Sequence, residues 1–269
     1  MASSDHVRAV VKLGGSVITD KRGDRPHIRH KVLARLSSDL ASAPLGTVLG
    51  VVHGAGSYGH GPVLRSGIHR GITDPTQRLA WGEIQVLQNE LNAAVCRALM
   101  AEGLAAMPCQ ASAAAVMAGG QLVHLDAVAW KELAAQQMIP VVYGVPAADR
   151  SQGCSILSGD VLAPELAHGL GANLLVLGTD VDGVYTADPR QDPEATHIAR
   201  ITPETWPEVA ASLGGADAAD VTGGMRGKVT ALLGYARKGL SARIVDITRP
   251  GRLAEALTGA EVGTLIAPD

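Results

Sequence analysis

The chain predicts an α/β protein built on a mainly parallel sheet with helices on both faces. Three observations carry this. Apolar, β-rich segments alternate with helical ones from end to end. Phenylalanine is absent and aromatics make up 3% of the residues, so the core is built from Ala, Val, Leu and Ile, which suits strands buried on both sides. Glycine-rich turns follow the apolar runs, and sheets of this kind gather their binding loops at the carboxyl ends of strands.

In chain order, 7–13 is a short strand ending at Gly14-Gly15-Ser16. Val32, Leu33, Leu36 and Leu40 recur at helical spacing within 30–42, and Pro44 closes that helix. Leu49, Val51 and Val52 form a strand that opens into His53-Gly54-Ala55-Gly56-Ser57-Tyr58-Gly59-His60-Gly61. Residues 61–71 read as irregular and basic. Thr73-Asp74-Pro75 starts a long helix, with Thr or Asp as cap and Pro in the first turn. Leu79, Ile84, Leu87, Leu91, Val95 and Leu99 share its apolar side, and Gly103 stops it.

Residues 104–108 read as a strand and 112–118 as a helix. A hairpin strand over 122–124 follows Gly119-Gly120, then a helix over 126–137 and a strand over 138–143. A polar excursion over 147–154 leads to Ser158-Gly159-Asp160 and a helix over 161–169. The strand at 174–177 ends in Gly178-Thr179-Asp180-Val181-Asp182-Gly183-Val184-Tyr185. A turn-rich loop (188–193), a helix (203–213) and a small-residue linker (214–220) precede Val221-Thr222-Gly223-Gly224-Met225-Arg226-Gly227-Lys228, which opens a helix to about 238. A strand (242–245), a short helix (253–257) and a closing strand (263–266) complete the chain. Nothing in it forces a split, so one domain over 7–267 is expected.

The formal net charge of −3 gives no general attraction for nucleic acid or an anionic membrane. Any anion must be held locally. Cys96, Cys109 and Cys154 are odd in number and match neither zinc spacing nor a disulfide framework, which points to a reducing compartment. Residues 1–6 carry no apolar signal-peptide core, and no apolar run approaches the roughly 18 residues of a membrane span. A cytoplasmic protein is expected.

Lys12, Lys21 and Lys228 stand beside glycine turns. At the end of an apolar strand, Lys12 needs either an anion to meet it or a route to solvent. Phosphoryl transfer asks for this equipment: cations and backbone donors placed around the moving group. The 54–59 loop exposes amides to an anion, and His60 adds a side-chain donor; a plain strand-to-helix turn is its other reading. Residues 222–228 aim amides and an ammonium from a helix start, or form a hinge. Asp160 caps a helix or orients lysines, and Asp180 and Asp182 serve a nucleotide or a turn. No Walker A or protein-kinase signature is present. The 54–59 loop fits G-x-G-x-x-G but lacks the acidic ribose partner of a dinucleotide fold.

Together, Lys12-Leu-Gly-Gly-Ser16, the 54–59 loop, Ser158-Gly159-Asp160, 179–185 and 222–228 resemble the amino-acid kinase superfamily, over about 7–266. Within it, Val17-Ile-Thr-Asp-Lys21, Gly56-Ser-Tyr-Gly-His60, His69-Arg-Gly71 and 220–228 are similar to isopentenyl phosphate kinases. The resemblance implies a three-layer αβα sandwich, usually a homodimer, using ATP and magnesium. It implies an acceptor-side lobe over about 7–172 and a nucleotide-side lobe over about 173–267. Lys12, Lys21 and Lys228 would contact ATP phosphates or the transferring group, with Gly14, Gly15 and Ser16 lining the phosphate channel. Gly54, Ala55 and Gly59 would hold the acceptor phosphate, with His60 hydrogen-bonded to it and Gly159 beside it. Asp160 would orient the lysines, while Thr179, Asp180, Asp182, Tyr185 and Gly224 would lie toward the nucleotide. No residue is expected to ligate a metal.

The reaction so implied is ATP-dependent phosphorylation of a small phosphomonoester, foremost isopentenyl phosphate. A phosphonate kinase of the fosfomycin-resistance type and a catalytically silent nucleotide or anion sensor are the alternatives. Two positions depart from the family pattern: Tyr58 replaces an expected phenylalanine, and Val145 stands where relatives commonly place an acid. An isoprenoid tail would need an apolar pocket, assigned to Trp81, Ile84, Leu87, Gln88 and 138–142.

Overall fold

The computed structural model describes residues 6–20, 26–189, 191–212 and 224–269; Lys21 and the Thr222-Gly223 step lie outside them. The central sheet contains β1 (Ala9–Leu13), β2 (Val48–His53), β3 (Ala106–Pro108), β4 (Ile139–Tyr143), β5 (Leu174–Thr179), β6 (Arg200–Ile201), β7 (Ser241–Asp246) and β8 (Thr264–Ile266). Their spatial order is β6-β8-β7-β5-β1-β2-β4-β3. All neighbours run parallel except β7 and β8. The register sets Leu13 level with His53 and Gly178, and His53 level with Tyr143. Strands β5, β1, β2 and β4 therefore end together, and their loops meet.

The helices are α1 (Gly15–Ile18), α2 (His30–Ala41), α3 (His60–Ser66), α4 (Thr76–Ala101), α5 (Val128–Ala135), α6 (Gly159–Gly169), α7 (Trp206–Ser212), α8 (Gly224–Ala236) and α9 (Arg252–Leu257). Alternate strand residues feed two cores. Val10, Val52 and Leu175 pack with Leu162 and Leu166 of α6 and Leu232 of α8. Val11, Val51 and Val176 pack with Leu36 of α2, Leu91 and Val95 of α4, and Leu253 of α9. Leu33, Leu36 and Leu40 of α2 are at most 1% exposed, and burial of each contributes roughly 1.5–3 kcal/mol. The result is the expected three-layer αβα sandwich with a mainly parallel sheet.

Several local expectations change. Residues 60–66 form α3 rather than an irregular loop; Pro62 is tolerated in its first turn, and Gly67 ends it in the left-handed region at φ +72. In α4 the buried stripe is Ile84, Gln88, Leu91, Asn92, Val95, Cys96 and Leu99. Leu79 and Leu87 fall off that phase, and Leu79 is 71% exposed. The predicted helix over 112–118 is a short turn at Ala111–Ala113 followed by a strand, Ala115–Ala118. The polar excursion at 147–154 is a hairpin of Val145–Asp149 and Gly153–Leu157. With Gln121–Leu125, these strands form a second, four-stranded sheet.

Asp149 ties that sheet's two turns together. Its carboxylate accepts from the amides of Gly119 (3.0 Å), Gly120 (2.8 Å), Ser151 (2.8 Å) and Gln152 (3.1 Å). Burial alone would raise its pKa, but the amides of Gly120, Ser151 and Gly119 outweigh this and hold the carboxyl well below the usual carboxylate range. A group with a depressed folded pKa stabilises above its unfolded value and loses that contribution as pH falls. Asp149→Ala should therefore lower Tm at pH 7 by roughly 2–6 °C. The gap to wild type should narrow below the ordinary aspartate value of 3.8. A gap that is constant with pH in thermal melts would refute the assignment.

Candidate active site

Where the four strands end, their loops pack backbone against backbone. A Cβ at Gly15 would lie 2.4 Å from the Gly56 nitrogen, and one at Gly54 would lie 2.7 Å from the Gly15 nitrogen. A Cβ at Gly14 would meet the Gly178 carbonyl at 2.8 Å, and one at Gly144 the Gly159 nitrogen at 2.7 Å. Any larger residue would push these loops apart. Thr19 adds a latch that sequence reasoning missed: its hydroxyl donates to the Gly15 carbonyl (2.7 Å) and accepts from the Ser57 amide (3.0 Å).

The loops enclose a cavity of about 260 Å³. One end is cationic. Lys12 leaves β1 with its Nζ 2.7 Å from Asp160 Oδ1, and Lys228 of α8 approaches the same oxygen at 3.6 Å. Ser158 caps α6 by accepting from the Val161 amide at 3.2 Å. Asp160, inside the first turn, is therefore free of capping duty and serves the lysines. Burial lowers the pKa of Lys12, and Lys228 pushes the same way against the opposing pull of Asp160. Partial burial raises the Asp160 pKa, but Lys12 and Lys228 more than offset it, so the carboxyl is held below its ordinary value.

Gly14, Gly15, Ser16 and Thr179 line the cavity beside these charges. Gly54, Ala55, Gly59 and His60 line it from the β2 side, and Gly159 from the start of α6. His60 is the first residue of α3. Behind this loop stands a further residue that sequence reasoning passed over. His53 is fully buried, stacked on Tyr143 at 5.3 Å, with Nε2 3.2 Å from Asn92 Oδ1 and Nδ1 3.1 Å from the Gly54 carbonyl. Burial pulls its pKa down to about 4, so it is a neutral prop for the glycine loop at physiological pH.

Other predicted residues do not join the cavity wall. Asp182 is bound by Arg252 (2.8 Å) and Arg249 (3.6 Å) and accepts from the Asp246 amide (3.4 Å). Asp180 accepts from the Thr179 hydroxyl at 3.3 Å, and Tyr185 packs edge-on against His197. Gly224 is the first residue of α8. Of the predicted tail pocket only Gln88 lines the wall; the apolar part comes from Val63, Val145, Pro146 and Ile156. Ile84 is buried in a satellite cluster with Val63 and Ile68, and Leu87 borders a separate depression on the outside of α4. Val145 thus puts an apolar wall where an acid was expected.

Comparison with known proteins identifies the family. The family model described as "Amino acid kinase family" matches residues 7–246. The chain is 38% identical to an isopentenyl phosphate kinase of Methanothermobacter thermautotrophicus, over 96% of this chain and 98% of the relative. It is 35% identical to one of Haloferax volcanii, over 96% and 97%. A crystal structure of an isopentenyl phosphate kinase superimposes with TM-score 0.83 at 34% identity, covering 97% of this chain and 100% of that one. The chain belongs to the amino acid kinase family, and within it to the isopentenyl phosphate kinases.

Proposed function

We propose that the protein transfers the γ-phosphoryl group of ATP to isopentenyl phosphate, giving isopentenyl diphosphate and ADP. The observation that carries this reading is a cavity with two ends. Two lysines gathered on one carboxylate mark the donor end. The glycine loop with His60 marks the acceptor end, and it runs into the apolar surface of Val63, Pro146 and Ile156. An acceptor phosphate is already ionised near neutral pH, so no proton-abstracting base is needed. One of its oxygens attacks the γ-phosphorus, and the bond to the β-phosphate oxygen breaks, leaving ADP with the electron pair. Lys12 and Lys228 neutralise charge on the moving group, and Asp160 fixes where they stand.

The donor set does not fit a resident magnesium ion. Asp160 is the one carboxylate among the described residues lining the cavity, and both ammonium groups occupy it. Magnesium then belongs to the substrate Mg-ATP. The same reading makes the protein a cytoplasmic homodimer. Among the described residues no helix is long and apolar enough to cross a membrane. Leu79 and Val86 leave apolar surface exposed on α4, and sedimentation of the purified protein tests the dimer.

With Mg-ATP, ADP should form faster with isopentenyl phosphate than with glutamate, aspartate or carbamate; equal or lower turnover would sink the assignment. His60→Ala should raise the acceptor KM about tenfold or more, the cost of one charge-assisted hydrogen bond. ATP affinity should stay within about twofold by titration calorimetry. A matching loss of ATP binding would put the loop on the wrong substrate.

A further inference from the structure

Gln88 differs from its polar neighbours on the inner face of α4. Gln85 Nε2 donates to the Tyr143 hydroxyl (2.8 Å), and its Oε1 accepts from Ser112 (2.8 Å). Asn92 Oδ1 meets His53, and its Nδ2 donates to the Val141 carbonyl (3.4 Å). Gln88 is 1% exposed, and its Oε1 has no hydrogen-bond partner among the described residues. Its Nε2 packs so tightly under the acceptor loop that a Cβ at Gly59 would lie 2.5 Å away. The side chain lines the same cavity as Val63, Val145, Pro146 and Ile156, whose side chains carry no hydrogen-bonding group.

A buried amide oxygen without a partner is a cost to the empty protein, and a ligand group bonded to it recovers that cost. A hydroxyl donates one hydrogen bond and accepts two, so it satisfies either end of the amide; a hydrocarbon satisfies neither. We propose that Gln88 is a specificity-determining residue of the acceptor site, extending its range from isopentenyl phosphate to short branched alkyl phosphates that carry a hydroxyl on the carbon chain. This rests on reading the cavity as the acceptor site of a phosphomonoester kinase. The chemistry is unchanged: the acceptor phosphate attacks the γ-phosphorus and ADP departs, while the added hydroxyl only binds.

The test compares kcat/KM for isopentenyl phosphate and for the tertiary-alcohol phosphate formed by hydrating its double bond. Wild type, Gln88→Met and Gln88→Leu are each measured; methionine keeps the volume and removes the amide. Wild type should use both acceptors, with values within about tenfold of each other. In each variant the ratio of alcohol to alkene should fall about tenfold or more, the loss falling on the alcohol. A ratio unchanged within twofold overturns the role of Gln88 and leaves the kinase reading standing. So does a wild type that phosphorylates isopentenyl phosphate and ignores the alcohol. A wild type that uses the alcohol alone supports Gln88 and overturns isopentenyl phosphate as the acceptor. If neither variant folds, the two wild-type rates decide.

Discussion

Lys12→Met should fold, bind ATP and turn over about 10²–10³-fold more slowly than wild type, the usual cost of removing one preorganised charge from a transition state. The side chain is 12% exposed and its ammonium sits 2.7 Å from Asp160. Taking a largely buried cation out of an apolar strand end removes a desolvation cost. Asp160 keeps Lys228 as its partner and faces the cleft at 42% exposure, so no stranded charge remains, and Tm should hold or rise. Lys12→Arg should not restore the rate, because a planar fork replaces a compact point charge in a space bounded by Gly159, whose added Cβ would already lie 3.5 Å from Lys12 Cε. Steady-state kinetics with calorimetric ATP titration separates the outcomes. A rise in the ATP KM at unchanged kcat would mean that Lys12 binds the ground state and transition state alike.

What the sequence made legible was mostly what a strand end shows locally. Lys12, the 54–59 loop and Asp160 each sit at the boundary of an apolar run, and parallel strands in register bring such boundaries together. The partners of Asp182, Arg249 and Arg252, were not legible, because they lie on a distant turn that only the tertiary fold brings near. The stretch 112–118 suggested a helix, yet pairing with Gln121–Leu125 and Asp149 made its second half a strand. The apolar wall of Val145, Pro146 and Ile156 was hidden for a related reason: these residues flank the polar stretch 147–154, and only its folding into a hairpin of that second sheet brings them together.

The arrangement of two lysines on one carboxylate makes a prediction with opposite signs at its two ends. Burial and Lys228 lower the Lys12 pKa, and Asp160 raises it. The role proposed for Lys12 requires its ammonium form, so kcat/KM for ATP, which reports the free enzyme, should fall as pH rises through a value below the ordinary lysine 10.5. Asp160→Asn removes the one charge that favours the ammonium. Its alkaline limb should move to lower pH, with kcat near neutrality down about 10²-fold because both cations lose their anchor. Lys228→Met removes a like charge, so its limb should move to higher pH even though its rate also drops. Two variants that both slow the enzyme would thus displace the same titration in opposite directions, which general damage to the site does not do. Limbs that shift together, or not at all, would mean that the group titrating in the profile is not Lys12.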